Sequence, residues 1–436
     1  MANPPFPRLK PSPDCADDSD CMDSDGSLPV RARSEPRAAA PPTTDIAPDC
    51  RHYRGERPCA QNRLCAGCGH YEPFTSRVCI IKFGALGDVV RTLCILPEIR
   101  RQFPGAHITW VSLPGGCRTI QYHPMLDRVV PYDAASALML VQESFDLVIS
   151  LDKDPQPCSL AMALFAKKKM GIGLSPWGTP VPLNPEARAY FHLGLSDDLK
   201  FNVNTKSYPR LIYEALGWRY RGQRYELPVD QAASDRVRLE LAGIGWDPRK
   251  PTLGINVGAG PGFANKMWPP RRIVDLLQEI RARWDDAVQI LLLGGSDHAQ
   301  TVTRILQLMR AESLADDQVI SPGTEHGEQA FIALIDACDV LFSGDTLAMH
   351  VAIALNKATV ALFGPTCPQE IDLFDNGEKL IADVPCGPCY KRVCDQGDRC
   401  LQAIPIQEAA DSIARALGRR HQGGIPLPVL PLPIAA

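Results

Sequence analysis

Two stretches of this chain, about 175 residues apart, repeat one order of events: an apolar strand, a glycine-rich turn, then a helix. In the first, Val78-Cys79-Ile80-Ile81-Lys82 runs into Gly84-Ala85-Leu86-Gly87-Asp88 and a helix expected over 89–102. In the second, a strand over 252–257 leads to a turn at 258–262 and a helix over 270–284. A further strand over 288–293 then ends in Gly294-Gly295. Strands that are apolar along their whole length and alternate with helices need cover on both faces, which a parallel sheet between two helix layers provides. The repeat therefore predicts an α/β protein built from two Rossmann-like domains, divided near 230–250. A division after 235 gives domains of 75–235 and 236–418.

Composition narrows the class. The 436 residues are 45% hydrophobic and 22% charged, as in a globular protein with a sizeable core. A net charge of -4 and a pI near 6.2 give no footprint for nucleic acid. No run approaches the roughly 18 apolar residues of a spanning helix, and the N-terminus has no apolar signal core, so a cytoplasmic protein is expected. Pro, Ala, Asp and Ser dominate 1–49, which is read as disordered because so little apolar surface cannot offset ordering entropy. Residues 419–436 read as a Pro-rich tail of polyproline type.

The polar residues collect where strands end. Over 343–366 the chain reads as strand, turn, helix, turn, strand, and Asp345, Thr346, Leu347, Ala348, Met349 and His350 stand at the start of that helix. A helix N-terminus following a strand aims free N–H groups at one point and favours an anion, usually a phosphate. His350, four residues after Thr346, faces the same side; core burial is the commoner fate of such a histidine. Gly258 and Gly260 form a turn before Lys266 and Trp268, and Lys266 could meet a phosphate as a point charge. A solvated lysine is the plainer alternative. Gly84 and Gly87 allow the first turn, and Asp88 reads either as a helix N-cap or as a catalytic carboxylate; the spacing is not the dinucleotide fingerprint. Asp152-Lys153-Asp154 has the form of a metal-holding DxD triplet, a pattern that chance produces often.

Sixteen cysteines in a chain of this length, without a secretion signal, point away from a disulfide scaffold. Cys79, Cys94 and Cys338 lie in apolar segments and read as buried thiols. Two windows differ. Cys50, Cys59, Cys65 and Cys68 fall within 19 residues, in a segment 50–74, and Cys386, Cys389, Cys394 and Cys400 fall within 15. Each holds one Cys-x-x-Cys pair, the spacing by which two thiolates grip a tetrahedral ion, so structural zinc or iron is expected at either or at a site shared by both.

Taken together, IIKFGALGDVVRTLCILPEIRRQFP, NVGAGPGFANKMWPPRRIVDLL, SGDTLAMHVAIALNKATVALFGPT and PCGPCYKRVC resemble glycosyltransferase family 9, the ADP-heptose:lipopolysaccharide heptosyltransferases, over about 77–417. The resemblance implies a GT-B architecture, two Rossmann-like domains whose parallel sheets face across a cleft. The N-terminal domain would take the acceptor and the C-terminal domain the nucleotide sugar. It also implies inversion at the anomeric carbon with no cofactor required for catalysis. On the matching positions, the resemblance implies that Asp88 is the general base, that Lys266 binds the diphosphate, and that Asp345, Thr346 and His350 meet phosphates and sugar. The family's usual glycine after Asp-Thr is Leu347 here, and the N-terminal cysteine window and the LDKDP segment mark a divergent branch.

The expected reaction is transfer of a sugar, heptose from ADP-heptose, to a cell-envelope glycan or lipid-linked acceptor such as lipopolysaccharide core. Peripheral association with the cytoplasmic face of the inner membrane fits that acceptor. A sugar-nucleotide epimerase or hydrolase, a protein heptosyltransferase, and a metal-binding scaffold with a decayed site are the competing readings. Product analysis with and without acceptor, and donor binding, separate them.

Overall fold

The structure, a computed structural model, describes residues 40–260, 264–285, 287–314, 319–397 and 399–421. Most of the segment expected to be disordered (1–39) and most of the Pro-rich tail (422–436) lie outside the described residues. The chain forms two compact units, Met1–Glu72 and Pro73–Ala436.

In the smaller unit, 40–72 is a chain of turns held by backbone hydrogen bonds. Cys65 N donates to Asp45 O at 3.1 Å, and Gly67 N to Pro42 O at 2.9 Å. Residues 40–49, grouped with the disordered segment on composition, are thus tied down by amides of the cysteine window, and Ala47 is buried.

The larger unit holds both domains. The first contains β1 (Ser76–Ile81), α1 (Leu86–Thr92), α2 (Leu96–Gln102), β2 (Ala106–Ser112), α3 (Pro114–Ile120), β3 (Arg128–Pro131) and α4 (Ala134–Leu140). It continues with β4 (Ser144–Ser150), α5 (Pro155–Ala163), β5 (Phe165–Leu174), β6 (Pro180–Pro182), α6 (Ala187–His192) and α7 (Tyr208–Ala215). The second contains α8 (Gln231–Gly243), β7 (Thr252–Asn256), α9 (Pro270–Trp284), β8 (Gln289–Leu293), α10 (Ala299–Ala311), β9 (Val319–Ile320) and α11 (Glu328–Asp336). β10 (Val340–Gly344), α12 (Leu347–Ala354), β11 (Ala358–Phe363), β12 (Gly377–Ile381), α13 (Arg399–Ala403) and α14 (Ile406–His421) complete it. α8, placed across the expected boundary, packs on α11 of the second domain.

The sheets are orders β3-β2-β1-β4-β5-β6 and β12-β11-β10-β7-β8-β9. All pairings are parallel except β5 with β6. Each sheet reverses direction of growth once, between β1 and β4 and between β7 and β10. Such a switch point leaves a crevice at the carboxyl ends of the strands, the usual ligand position in open α/β sheets. Strands β7, β8, β10 and β11 are buried along their whole length, as their continuous apolar sequences require.

The helix expected over 89–102 is divided. Pro97 has no N–H to offer the carbonyl of Leu93, so Leu96 N donates there instead, and a short 3-10 turn, Leu93–Ile95, separates α1 from α2. One apolar cluster runs from Ile80, Leu93 and Ile95 through Tyr213, Tyr225 and Leu227 to Met349 and Phe363, joining the first domain, the connecting segment and the second domain.

Gly171 sets how closely β5 approaches the end of β4. Its φ is +94°, and a methyl group there would lie 1.9 Å from Ser150 O. Gly171→Ala is expected to lower stability by more than about 1 kcal/mol, seen as a lower denaturant midpoint at unchanged slope.

Candidate active site

At the first switch point, β1 runs into Lys82 and the turn that follows delivers Asp88 on α1. The N-cap of α1 is Ala85, so Asp88 is not the cap; it sits in the first helical turn with its side chain 34% exposed. Arg91 reaches back along the helix to pair with it at 2.8 Å and stands 3.9 Å from Glu370 of the second domain. The Arg91 guanidinium lies over the ring of Tyr208, 3.8 Å from its centroid. Burial works to raise the Asp88 carboxyl, but the cations Arg91 and Lys82 hold it below the ordinary value. It is therefore ionised at neutral pH.

Across the switch point, β4 delivers Asp152. Its carboxylate is buried and takes the ammonium of Lys82 together with the amides of Phe83 and Gly84, the last at 3.0 Å. Asp152 is thus consumed within the protein, and Asp154 is the N-cap position of α5 ahead of Pro155. The DxD triplet is not a metal pair. Lys153, between them, donates to Tyr190 O at 3.0 Å and is pushed down to about 8 by burial and by nearby Lys200.

At the second switch point, Asn256 at the end of β7 donates to Gly258 O at 2.7 Å and to Ser343 Oγ and Thr346 Oγ1 at 3.1 Å, tying the two turns together. Gly258 has no room for a side chain because the ring of His298 fills that space. Gly260 is exposed and adjoins 261–263, outside the described residues. The Lys266 loop lies directly on Gly344: a methyl group there would stand 2.0 Å from Lys266 O. This close approach brings Lys266 Nζ to 3.3 Å from Asp345 Oδ2. Asp345 Oδ1 is 3.7 Å from His350 Nε2, and His350 Nδ1 is 3.3 Å from Tyr225 Oη. Burial would raise Asp345, but His350, Lys266 and Arg91 hold it far below the carboxylate range. Burial lowers His350 against the pull of Asp345, which keeps the imidazole neutral at pH 7.

Four of the expected site residues take other parts. Trp268 is fully buried, donates Nε1–H to Leu401 O at 2.8 Å and packs on Phe342, so it anchors the Lys266 loop from below. Ala348 and Met349 point into the core, leaving only their backbone N–H groups for a ligand. Leu347 is partly buried against the same core at the first position of α12.

The two switch points meet. α1 packs against α12, and a methyl group on Gly87 would lie 2.6 Å from His350 Cδ2. Arg118 and Glu328, bidentate at 2.7 and 2.8 Å, tie α3 to α11 beside this contact. Asp88 with Lys82 and Arg91 thus faces Asp345, His350 and Lys266 across one cleft. Sequence reasoning missed Lys82, Arg91 and Tyr225; a charged residue closing an otherwise apolar strand was the available signal for Lys82.

Cys79, Cys94 and Cys338 are buried thiols, as expected. Cys50, Cys59, Cys65 and Cys68 line one cavity of ≈ 560 Å³ with His52 and His70. Cys386, Cys389, Cys394 and Cys400 line another of ≈ 50 Å³ with Asn265, whose Oδ1 is buried and unpartnered. Neither window is drawn together as a ligand set: among the described residues no three His, Cys, Asp or Glu side chains are grouped to hold a metal ion. Spacing placed the thiols around common cavities but did not bring their sulfurs to one point.

The family model for glycosyltransferase family 9 (heptosyltransferase) matches residues 137–399, which include Lys266, Asp345 and His350 but not Asp88. Lipopolysaccharide heptosyltransferase 1 of Pseudomonas aeruginosa is 25% identical over 352 residues, covering 73% of this chain and 87% of that protein. Lipopolysaccharide heptosyltransferase 2 of Escherichia coli is 23% identical over 303 residues, covering 67% and 84%. Among solved structures, a family 9 glycosyltransferase from Veillonella parvula aligns with a TM-score of 0.61 at 17% identity over 79% of this chain and 98% of that one. The ADP-heptose lipopolysaccharide heptosyltransferase II of Escherichia coli aligns at 0.60 and 18%, over 79% and 99%. With two parallel-sheet domains in the GT-B arrangement and a family match spanning more than half of its length, the chain belongs to glycosyltransferase family 9 and is a glycosyltransferase.

Proposed function

We propose that this enzyme transfers heptose from ADP-heptose, with inversion, to a cell-envelope glycan of the lipopolysaccharide core type. The observation that carries the reading is the opposition of an ionised carboxylate, Asp88, to a cation-bearing helix start, Lys266 with α12, across one cleft. The named activities of the relatives supply the choice of sugar and acceptor.

The chemistry follows from where charge develops. As the bond to the anomeric carbon breaks, negative charge grows on the departing diphosphate. Lys266 and the first amides of α12 offset it most strongly in the transition state, which is the condition for raising kcat. Asp345 holds Lys266 in place and can accept hydrogen bonds from donor hydroxyls, while neutral His350, with Nε2 toward Asp345 and Nδ1 toward Tyr225, fixes that carboxylate. On the opposite side Asp88 accepts the proton of the acceptor hydroxyl as the new bond forms. A carboxylate held below its ordinary pKa is a weak base, so its contribution is orientation and timing as the oxocarbenium-like centre appears.

Among the described residues no helix is long and apolar enough to cross a membrane. A peripheral position at the cytoplasmic face of the inner membrane is proposed from the acceptor alone. The two cysteine windows are proposed as structural zinc or iron sites: four thiols line each cavity, and a bound ion would have to draw their sulfurs together.

Asp88→Asn is expected to cut transfer by roughly a hundredfold or more while ADP binding, measured by calorimetry, is retained; near-wild-type transfer would exclude Asp88 as the base. Lys266→Met should lower kcat and kcat/KM together, by roughly 10²-fold, and weaken ADP binding; an effect on KM alone would remove it from the leaving-group role. Elemental analysis of protein purified without chelator should find zinc or iron, with loss of part of it in Cys65→Ser/Cys68→Ser; metal at background level would rule out both windows.

A further inference from the structure

Three charged heads converge above one glycine. A methyl group on Gly84 would stand 2.7 Å from Lys82 Nζ, 2.9 Å from Asp152 Oδ1 and 3.4 Å from Asp88 Oδ2. Only Asp88 belongs to the reaction described above. Lys82 and Asp152 are 3% and 5% exposed, too deep to meet a substrate from solvent. Their backbone is held as firmly as their heads: Lys82 N donates to Val111 O at 3.0 Å, and Ser112 Oγ donates to Lys82 O at 2.7 Å. Cys158 Sγ lies 3.3 Å from Asp152 O, and Tyr190 Oη donates to Leu151 O at 3.2 Å.

We propose that the buried Lys82–Asp152 pair is a positioning and charge-compensating device for Asp88. This rests on Asp88 acting as the base. Asp152 accepts from the amides of both Phe83 and Gly84, so it fixes the turn that carries Asp88 from the opposite side of the switch point. Lys82 presents one ammonium to two carboxylates, one of which never reacts. When Asp88 takes the acceptor proton, its negative charge disappears. Lys82 would then be a buried cation without a counter-charge, a state that opposes the proton transfer, were Asp152 not there to keep it compensated. Asp152 thus lets a cation orient the base without blocking its protonation. The other groups facing Asp88 are Arg91 on its own helix, His350 and Asp345 from α12 and the turn before it, and Tyr190 and Tyr208 from α6 and α7. None of these contacts the turn amides.

The sign of each effect is fixed. Lys82 favours the ionised form of Asp88, so removing its charge raises the pH at which Asp88 titrates; removing Asp152 alone leaves Lys82 leaning on Asp88 and lowers it. Either single change strands a buried charge and can fail to fold. The double variant Lys82→Met/Asp152→Asn removes both charges and keeps an amide oxygen for the two turn amides. In the full-length protein, carbon-13 titration of the Asp88 carboxyl, assigned with Asp88→Asn, should then move up, because the Lys82 charge acts on Asp88 more strongly than the Asp152 charge that opposes it. The kcat should fall about tenfold or more with ADP affinity unchanged within about twofold. An Asp88 titration and a kcat both indistinguishable from wild type would overturn the proposal and reduce the pair to a structural one. A moved titration in a protein that transfers no sugar would uphold the coupling and refute the transferase reading of Asp88 instead.

Discussion

The working arrangement depends on one close contact between two helix starts. α1 and α12 each begin at a switch point of their own sheet, and they meet where Gly87 lies against the ring of His350. No side chain fits at 87, so the contact is set by backbone on one side and an imidazole on the other. That imidazole is held in turn by Tyr225 from the connecting segment and stands beside Asp345. The placement of the proposed base against the proposed leaving-group site therefore follows from sheet topology, because each strand order puts its crevice at the same end of the strands. Interdomain ties farther out, such as Arg118 with Glu328, are half-exposed ion pairs of small individual worth. The continuous apolar cluster through Tyr213, Tyr225 and Met349 carries most of the interdomain attachment.

Much of this was legible from local pattern. Strands such as 358–363 and helices such as 270–284 come out at the expected residues because their apolar runs and bounding prolines or glycines act locally. Lys266 and Asp345 were readable as neighbours of glycine turns at helix starts. Lys82 and Asp152 were not: their pairing joins positions 70 residues apart, and nothing in either segment alone states that the two strands are adjacent. Asp152 even invited a wrong chemistry, since two aspartates spaced by one residue look like metal ligands until one is seen to be saturated by an ammonium and two amides.

Trp268 illustrates the reverse error, in which a position near the site was given the wrong manner of acting. Trp268 adjoins Lys266 in sequence but turns into the core, where its N–H finds a carbonyl on α13. Sequence proximity of two residues on a loop does not settle which faces solvent. Asp88 has the residue type of an N-cap, yet the helix starts earlier, at Leu86, and leaves its carboxylate free to pair with Arg91 and face the cleft. The cysteine windows were visible only as spacing, and spacing fixes neither sulfur direction nor the approach of the second pair to the first.

Charge balance during turnover links the two sides of the cleft. Before reaction, the base side holds Asp88 between Arg91 and Lys82, with Asp152 balancing Lys82 and Glu370 standing near Arg91. The donor side holds Lys266 and Asp345 as a pair beside a neutral His350. In the proposed reaction a proton moves onto Asp88 and negative charge is added to the diphosphate, so the base side would become more positive as the donor side becomes more negative. Arg91 is the group placed to respond to both, since it touches Asp88 and also acts to keep Asp345 ionised from across the cleft. Its cation lies in a largely buried setting, over the face of Tyr208, where its field is poorly screened. When Asp88 is neutralised, that field is left to act on the departing phosphate instead. Under the proposed mechanism, the same arginine that weakens the base in the ground state would favour the leaving group in the transition state, and the low pKa of Asp88 would follow from how the cleft stabilises its product charges.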